Sequence, residues 1–308
     1  MIRVGAVPAA GLTSLTVHER IEVLSAMADA GLDGVLAADH VSFRNGSGTD
    51  AIVLMAGVAG MHPTLGLHIG VYLLPLRHPV TVARSLATLA ELAPGRVVFG
   101  VGIGGEDRHE VEVCGVDPRT RGRRCDASLD VLRALLAGDE VTHHDEFFHI
   151  DACRIVPTPS PPVPVLVGGR SDAAIRRAGR FGDGWLGTWC SPTRFATAVA
   201  RCSETAALAG RGEVRWRHKL QAWVGLAETR EQARAAVARD MQRFYGLPFE
   251  MFEKYTPYGS PADVAAALAP FVDAGAHELD LCLCGDDVGD TVAMAGEVKR
   301  LLVAHAAG

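Results

Sequence analysis

The stretch FGVGIGGEDRHE, residues 99–110, separates two ways of folding this chain. Gly100, Gly102 and Gly105 have the spacing G-x-G-x-x-G, and the apolar run before them, residues 96–99, reads as a strand. A dinucleotide-binding unit has that spacing after its first strand. It also starts a helix at the last glycine, because the pyrophosphate sits on that helix N-terminus. Here three strand-like runs come first, and Gly105 leads into Glu-Asp-Arg-His-Glu. The first convincing helical pattern starts about fifteen residues later. Such glycines have another use: at a strand's C-terminal end they let backbone approach a ligand or a neighbouring strand.

Outward from this stretch, short apolar runs alternate with segments of helical period. The strand-and-helix pairs are 2–9 with 16–30, 34–39 with 49–61, 65–74 with 79–92, and 96–103 with 119–136. After them come 165–167 with 171–181, 184–190 with 192–209, 219–226 with 229–244, and 278–284 with 290–305. Ser260-Pro261 marks a further helix start, with Ser as N-cap and Pro in the first turn. Residues 141–150 read as a hairpin. Residues 157–164, with prolines at 157, 159, 161, 162 and 164, read as an extended connection. Residues 245–259 fit neither pattern and read as an insertion. Strands that are apolar along their whole length suit a parallel sheet covered on both faces. Eight β-then-α units predict α/β architecture: a single (β/α)8 TIM barrel over residues 1–308, with insertions at the C-terminal rim. An open doubly wound sheet is the alternative.

Composition bounds the function. The 308 residues are 48% hydrophobic and 21% charged, enough for a large core. A net charge of −6 with no Lys/Arg run gives no footprint for nucleic acid. No apolar run is long enough to span a membrane, and the N-terminus has no signal-peptide pattern. The seven cysteines lack a C-x-x-C and sit in apolar contexts, so reduced thiols and a cytoplasmic location are expected. Cys282 and Cys284 share one face of a strand, which does not suit a disulfide. His143, His144 and His149 on the hairpin lack ordered ligand geometry, so no metal is expected.

Barrel active sites lie at the C-terminal strand ends. Those ends carry Asp39-His40, Gly70-Val71-Tyr72, Gly104-Gly105-Glu106, Gly168-Gly169-Arg170 and Thr188-Trp189. His40 can give or take a proton near neutrality; its plainer reading is a bond to a loop carbonyl. Glu106 in an apolar site would have a raised pKa and act as an acid; otherwise it is a solvated loop residue. Asp39 binds or orients. Asp107, His109 and Glu110 read as ordinary surface groups, and Arg77 as part of a strand-to-helix turn. Free amides at Gly168, Gly169, Arg170 and Ser171, just before a helix, make an anion site, with Arg170 available to a phosphate. The plainer reading is a β-α turn capped by Ser171.

Four segments carry a family likeness: DGVLAADH, GVYLLPLRHPVTVARSLATLAELAPGRVVFGVGIG, PVPVLVGGRSDAAIRRAGRFGDGWL and YGSPADVAAALAPFVDAGAHELDL. In that order they resemble the bacterial luciferase-like monooxygenase superfamily over nearly the whole chain. The resemblance implies a barrel that binds FMN or the deazaflavin coenzyme F420. Asp39-His40 and the G-E-x-x-x-E run at 105–110 are most similar to the F420-dependent branch. That likeness implies His40 and Glu106 as proton-transfer residues beside the deazaflavin. It also implies a non-proline cis peptide within Gly70, Val71 and Tyr72, and cofactor contacts from Asp39, Gly70, Val71, Tyr72, Gly104, Gly105, Gly168, Gly169, Arg170 and Ser171. The expected reaction is hydride transfer between F420 and a small organic substrate. The alternatives are an FMN monooxygenase with a partner reductase, a non-catalytic flavin-binding relative, and a sugar-phosphate lyase or isomerase. A homodimer through the second and third helices is a further expectation from the resemblance. Loops 42–48, 106–114 and 245–259 are expected to shape the substrate pocket, with Phe249, Phe252, Tyr255 and Tyr258 as aromatic walls.

Overall fold

The computed structural model describes residues 2–8, 11–105 and 107–308. Eight parallel strands follow one another around a closed sheet: β1 (Arg3–Pro8), β2 (Gly34–Ala37), β3 (Gly66–Leu73), β4 (Val97–Gly102), β5 (Val165–Gly168), β6 (Gly184–Gly187), β7 (Lys219–Leu226) and β8 (Glu278–Cys284). Pairing of β6 with β7 and of β8 with β1 completes the circle, so the sheet is a (β/α)8 barrel. The whole lengths of β4 and β8 are buried: β4 has no polar side chain, whereas β8 carries Glu278 and Asp280 into the interior.

The helices are α1 (Val17–Asp29), α2 (Ala51–Met61), α3 (Pro79–Leu92), α4 (Arg108–Val113), α5 (Arg121–Ala137), α6 (Asp172–Phe181), α7 (Pro192–Leu208), α8 (Arg230–Tyr245), α9 (Pro261–Asp273) and α10 (Val288–Ala307). Capping boxes start α1 (Thr16 with Glu19), α8 (Thr229 with Gln232) and α9 (Ser260 with Asp263). Each such cap contributes about 1 kcal/mol. The Ser260-Pro261 signal thus marks a real helix start.

Two departures from the sequence reading bear on the site. First, a short helix, α4, begins only three residues after Gly105, capped by Asp107, whose side chain accepts from the His109 N–H. Second, α9 and not α8 takes the outer-layer place between β7 and β8, packing on α7 and α10. Val237 and Met241 of α8 instead join Trp223 of β7, Cys282 and Cys284 of β8, and Phe249 in a separate apolar cluster. The rim excursion is therefore residues 230–259 rather than 245–259. Periodicity shows that α8 has an apolar stripe but not which surface the stripe meets.

The barrel interior is layered. At the N-terminal end His68, Lys219 and Asp280 form a buried polar floor: His68 Nδ1 stands 2.8 Å from Asp280 Oδ1, and Lys219 Nζ 2.9 Å from Asp280 Oδ2. Above it, Leu36, Gln221 and Leu186 surround Gly70, where an added Cβ would meet all three. The Gly70–Val71 peptide is cis, and the pairing of β3 with β4 shifts between Ile69 and Tyr72. Val71 then packs inward on Val98, Leu166 and Leu186. Residues 154–164 carry no helix or strand, and two of their X-Pro bonds, before Pro157 and Pro161, are cis.

Candidate active site

His40 opens a short antiparallel ribbon, His40–Phe43 with Ser47–Thr49, directly after the C-terminal end of β2. Glu110 of α4 stands behind it. The Glu110 carboxylate is 2% exposed, lies 3.1–3.2 Å from His40 Nδ1, and accepts the backbone N–H groups of Val41 (2.7 Å) and Ser42 (3.2 Å). A carboxylate so placed holds the hydrogen on Nδ1 and leaves the lone pair on Nε2. Nε2 points away from Glu110 and has no protein partner among the described residues; the His40 side chain is 20% exposed. The Asp107 carboxylate also ties α4 to the ribbon, accepting the Arg44 N–H at 2.6 Å. Glu110, read from the sequence as a surface group, is therefore the residue that orients His40. The Asp-x-x-Glu spacing of a helix start at 107–110 was the available signal.

Asp39 and Tyr72 lie in the wall. Both Asp39 oxygens accept from Arg77 (2.6 and 2.8 Å), with the Leu73 and Ala51 N–H groups completing the carboxylate's shell. Tyr72 is 4% exposed and packs between Phe99 and the Arg77 guanidinium, which sits 4.3 Å from its ring centroid. These contacts fix the ends of β2 and β3 on either side of the Gly70–Val71 peptide. They also give Arg77 a structural task beyond a turn.

The glycine loops make the opposite rim. Gly104 and Gly105 have φ of 66° and 126°, and a Cβ on Gly105 would stand 2.8 Å from Arg121 Nη2. Arg121 Nε is buried without a hydrogen-bond partner. At the end of β5, a Cβ on Gly168 would strike Val71, and Gly169 has φ of 125°. Ser171 spends its hydroxyl on capping α6, accepting the Ala174 N–H, so this loop offers backbone amides to a ligand. Arg170 stacks over Trp189 at 5.3 Å, and its guanidinium meets no carboxylate among the described residues. A cavity of about 190 Å³ adjoins this loop, lined by Arg170, Trp185, Trp189, Ser191, Arg194 and Tyr255. Trp189 has a left-handed backbone (φ 47°), and its indole N–H is buried without an acceptor. Positive φ at a large residue is a feature that clusters at ligand sites. Glu106 lies outside the described residues.

Elsewhere the seven cysteines are free thiols, and burial pushes Cys282 up to about 12. On the hairpin, His144 and His149 stack at 3.9 Å with Nε2 atoms 2.7 and 3.4 Å from Asp151. That arrangement is more ordered than the sequence spacing suggested. Of the four aromatics expected to wall a pocket, Phe249 is buried in the α8 cluster and Tyr258 hydrogen-bonds Glu253, while Phe252 and Tyr255 flank Trp189 or its cavity.

With this geometry in view, similarity to known proteins can be placed. Residues 2–250 match the family model described as luciferase-like monooxygenase. An uncharacterised protein of Mycobacterium tuberculosis is 35% identical over 162 residues, which cover 53% of this chain and 56% of that one. The chain thus spans about half the length of that relative. An F420-dependent glucose-6-phosphate dehydrogenase of Kineococcus radiotolerans is 28% identical over 84% of this chain and 85% of that one. An F420-dependent secondary alcohol dehydrogenase, solved in complex with an F420-acetone adduct, has a TM-score of 0.84 at 20% identity, covering 98% of this chain and 99% of that one. At that identity the structural likeness is one of fold.

Proposed function

The chain belongs to the luciferase-like monooxygenase family, and on that premise we propose that it is an F420-dependent oxidoreductase acting on a small organic substrate. The observation that carries the proposal is His40, with Nδ1 clamped by a buried carboxylate and Nε2 without a protein partner among the described residues in a side chain that is 20% exposed. The residues around the mouth fit such a cofactor. The amides at 168–171 and the Arg170 guanidinium suit a phosphate. Arg121, whose Nε is buried without a hydrogen-bond partner, suits a further acid group, which F420 has in its tail and FMN lacks. Gly70 and Val71 supply the surface under the ring.

When bound, F420 exchanges a hydride with the substrate. His40 Nε2 holds or moves the proton that accompanies it, and Glu110 fixes the imidazole for that task. Glu106 is the second proton-transfer candidate on its sequence likeness alone. Positioning and charge are the protein's contribution. The same reading makes the protein a cytoplasmic homodimer. In support, α2 is apolar on all sides, yet its Val53 is 70% exposed, as fits a helix covered by a second copy. No helix among the described residues is long and apolar enough to cross a membrane.

A fluorescence titration with F420 tests the phosphate site. Gly169→Asp places a carboxylate among the phosphate-binding amides and is expected to weaken F420 about tenfold or more. Unchanged affinity would move the phosphate to another part of the rim.

A further inference from the structure

The hairpin of strands Val141–His144 and His149–Cys153 carries a side-chain cluster that the barrel chemistry does not use. His144 stands opposite His149 in the antiparallel register, and Asp151 lies two residues further along the second strand. Cross-strand partners and residues two apart share one face of a ribbon, so the three side chains stand together. The two imidazoles stack at 3.9 Å with 7° between their planes. Both turn Nε2 to the same carboxylate, His144 at 2.7 Å from Asp151 Oδ1 and His149 at 3.4 Å from Oδ2. Among the described residues no arginine or lysine pairs with Asp151. His143 belongs to the other face and pairs with Asp145 at 3.0 Å. Cys153 packs on the core beyond Ala152, whose backbone is left-handed at φ 47°. The cluster is thus two imidazoles and one carboxylate, not the three histidines of the sequence spacing.

One ligand atom from each of the three residues lies within 4.8 Å of the others. Zinc bonds imidazole nitrogen at about 2.0–2.1 Å, so two nitrogens on one tetrahedral ion stand roughly 3.4 Å apart. Small side-chain rotations therefore bring the three atoms onto a single ion. All three side chains are exposed, so an ion reaches them from solvent and water can fill its remaining positions. Imidazole nitrogen favours zinc, nickel and copper over calcium and magnesium, which take oxygen ligands. We propose that this face of the hairpin binds a divalent cation of the zinc type through His144 Nε2, His149 Nε2 and the Asp151 carboxylate. Each imidazole binds as the neutral ring with its hydrogen on Nδ1. The ion fastens the two strands across their open side. The turn between them sets Phe148 against His78, the N-cap of α3, at 5.3 Å and against Arg124 at 4.7 Å, so the ion also steadies that contact.

The test is calorimetric titration of ZnCl2 into the 308-residue chain, freed of any affinity tag and treated beforehand with chelator. One ion per chain at a Kd of about 10 µM or tighter is expected. His149→Ala and Asp151→Asn should each weaken it about tenfold or more, as the loss of one of three ligands does. Circular dichroism should stay unchanged in both, because both side chains are exposed. His143→Ala and Cys153→Ser should bind as the wild type does, and CaCl2 should not compete. Absence of saturable Zn2+ binding, or binding that His149→Ala and Asp151→Asn leave unchanged, would overturn the proposal and reduce the trio to a hydrogen-bonded surface cluster. An equal loss in His143→Ala or Cys153→Ser would overturn it as well, since neither side chain belongs to the trio, and so would competition by CaCl2.

Discussion

The barrel holds two buried histidine–carboxylate pairs, one at each end, and they are built for opposite purposes. At the mouth, His40 faces Glu110 and keeps Nε2 free in a side chain that is 20% exposed. At the floor, His68 faces Asp280 and is 4% exposed. Lys219 Nζ lies 3.0 Å from the same His68 nitrogen, and Gly34 and Gly66 approach so closely that a Cβ on either would stand 2.9 Å from the ring. The chemistry of the two pairs is the same. Access differs, and access to an unpaired ring nitrogen separates a group that can trade protons with a ligand from one that only fills and neutralises a core. Burial pushes the Asp280 carboxyl up, but Lys219 and His68 hold it well below the usual carboxylate range. The floor is thus a closed ionic cluster.

The largest effect is expected at the floor. Asp280→Ala removes the carboxylate that His68 and Lys219 share and leaves Lys219 with Glu278 alone, 3.1 Å away; breaking up such a buried cluster costs up to about 3–5 kcal/mol. Urea denaturation should show that loss or fail to yield folded protein. Wild-type stability would mean that the floor is not an ionic cluster. At the mouth, His40→Ala should leave folding and F420 affinity intact while lowering F420-dependent turnover by about 10²-fold or more. Full turnover in that variant would remove His40 from the chemistry and collapse the contrast between the two ends.

The smallest effect concerns protons refused by the floor's neighbour. His218 is 1% exposed, its Nδ1 accepts the Trp185 N–H, and burial, helped by His277, lowers its pKa to about 4. The unfolded chain takes up that proton near pH 6.5, while the fold does not. Stability is therefore full above about pH 6.5 and falls as the pH drops toward 4, by at most about tenfold in the folding constant per pH unit. Denaturation midpoints across that window check this, and His218→Asn should flatten the slope.

The sequence carried the repeat well, because parallel barrel strands are apolar on both faces and their helices start at strong caps such as Ser260-Pro261. The glycine turn at 168–171 was also readable as the lead into a helix capped by Ser171. What stayed hidden depended on contacts between distant segments. Glu110 is a surface-like residue until α4 folds back on residues 40–42, 68 to 70 positions away in the chain. Asp39 reads as a ligand-facing acid until Arg77 claims both of its oxygens. The stripe on α8 gives no sign that it lies over the ends of β7 and β8 and supplies Phe244 to the mouth.

The most direct test of the account is a pair of titrations on the purified protein, with F420 and with FMN, each followed by fluorescence. The account predicts saturable F420 binding at least about tenfold tighter than FMN, because Arg121 meets an acid group that only F420 carries. FMN binding as tight as F420, or binding of neither, would contradict it.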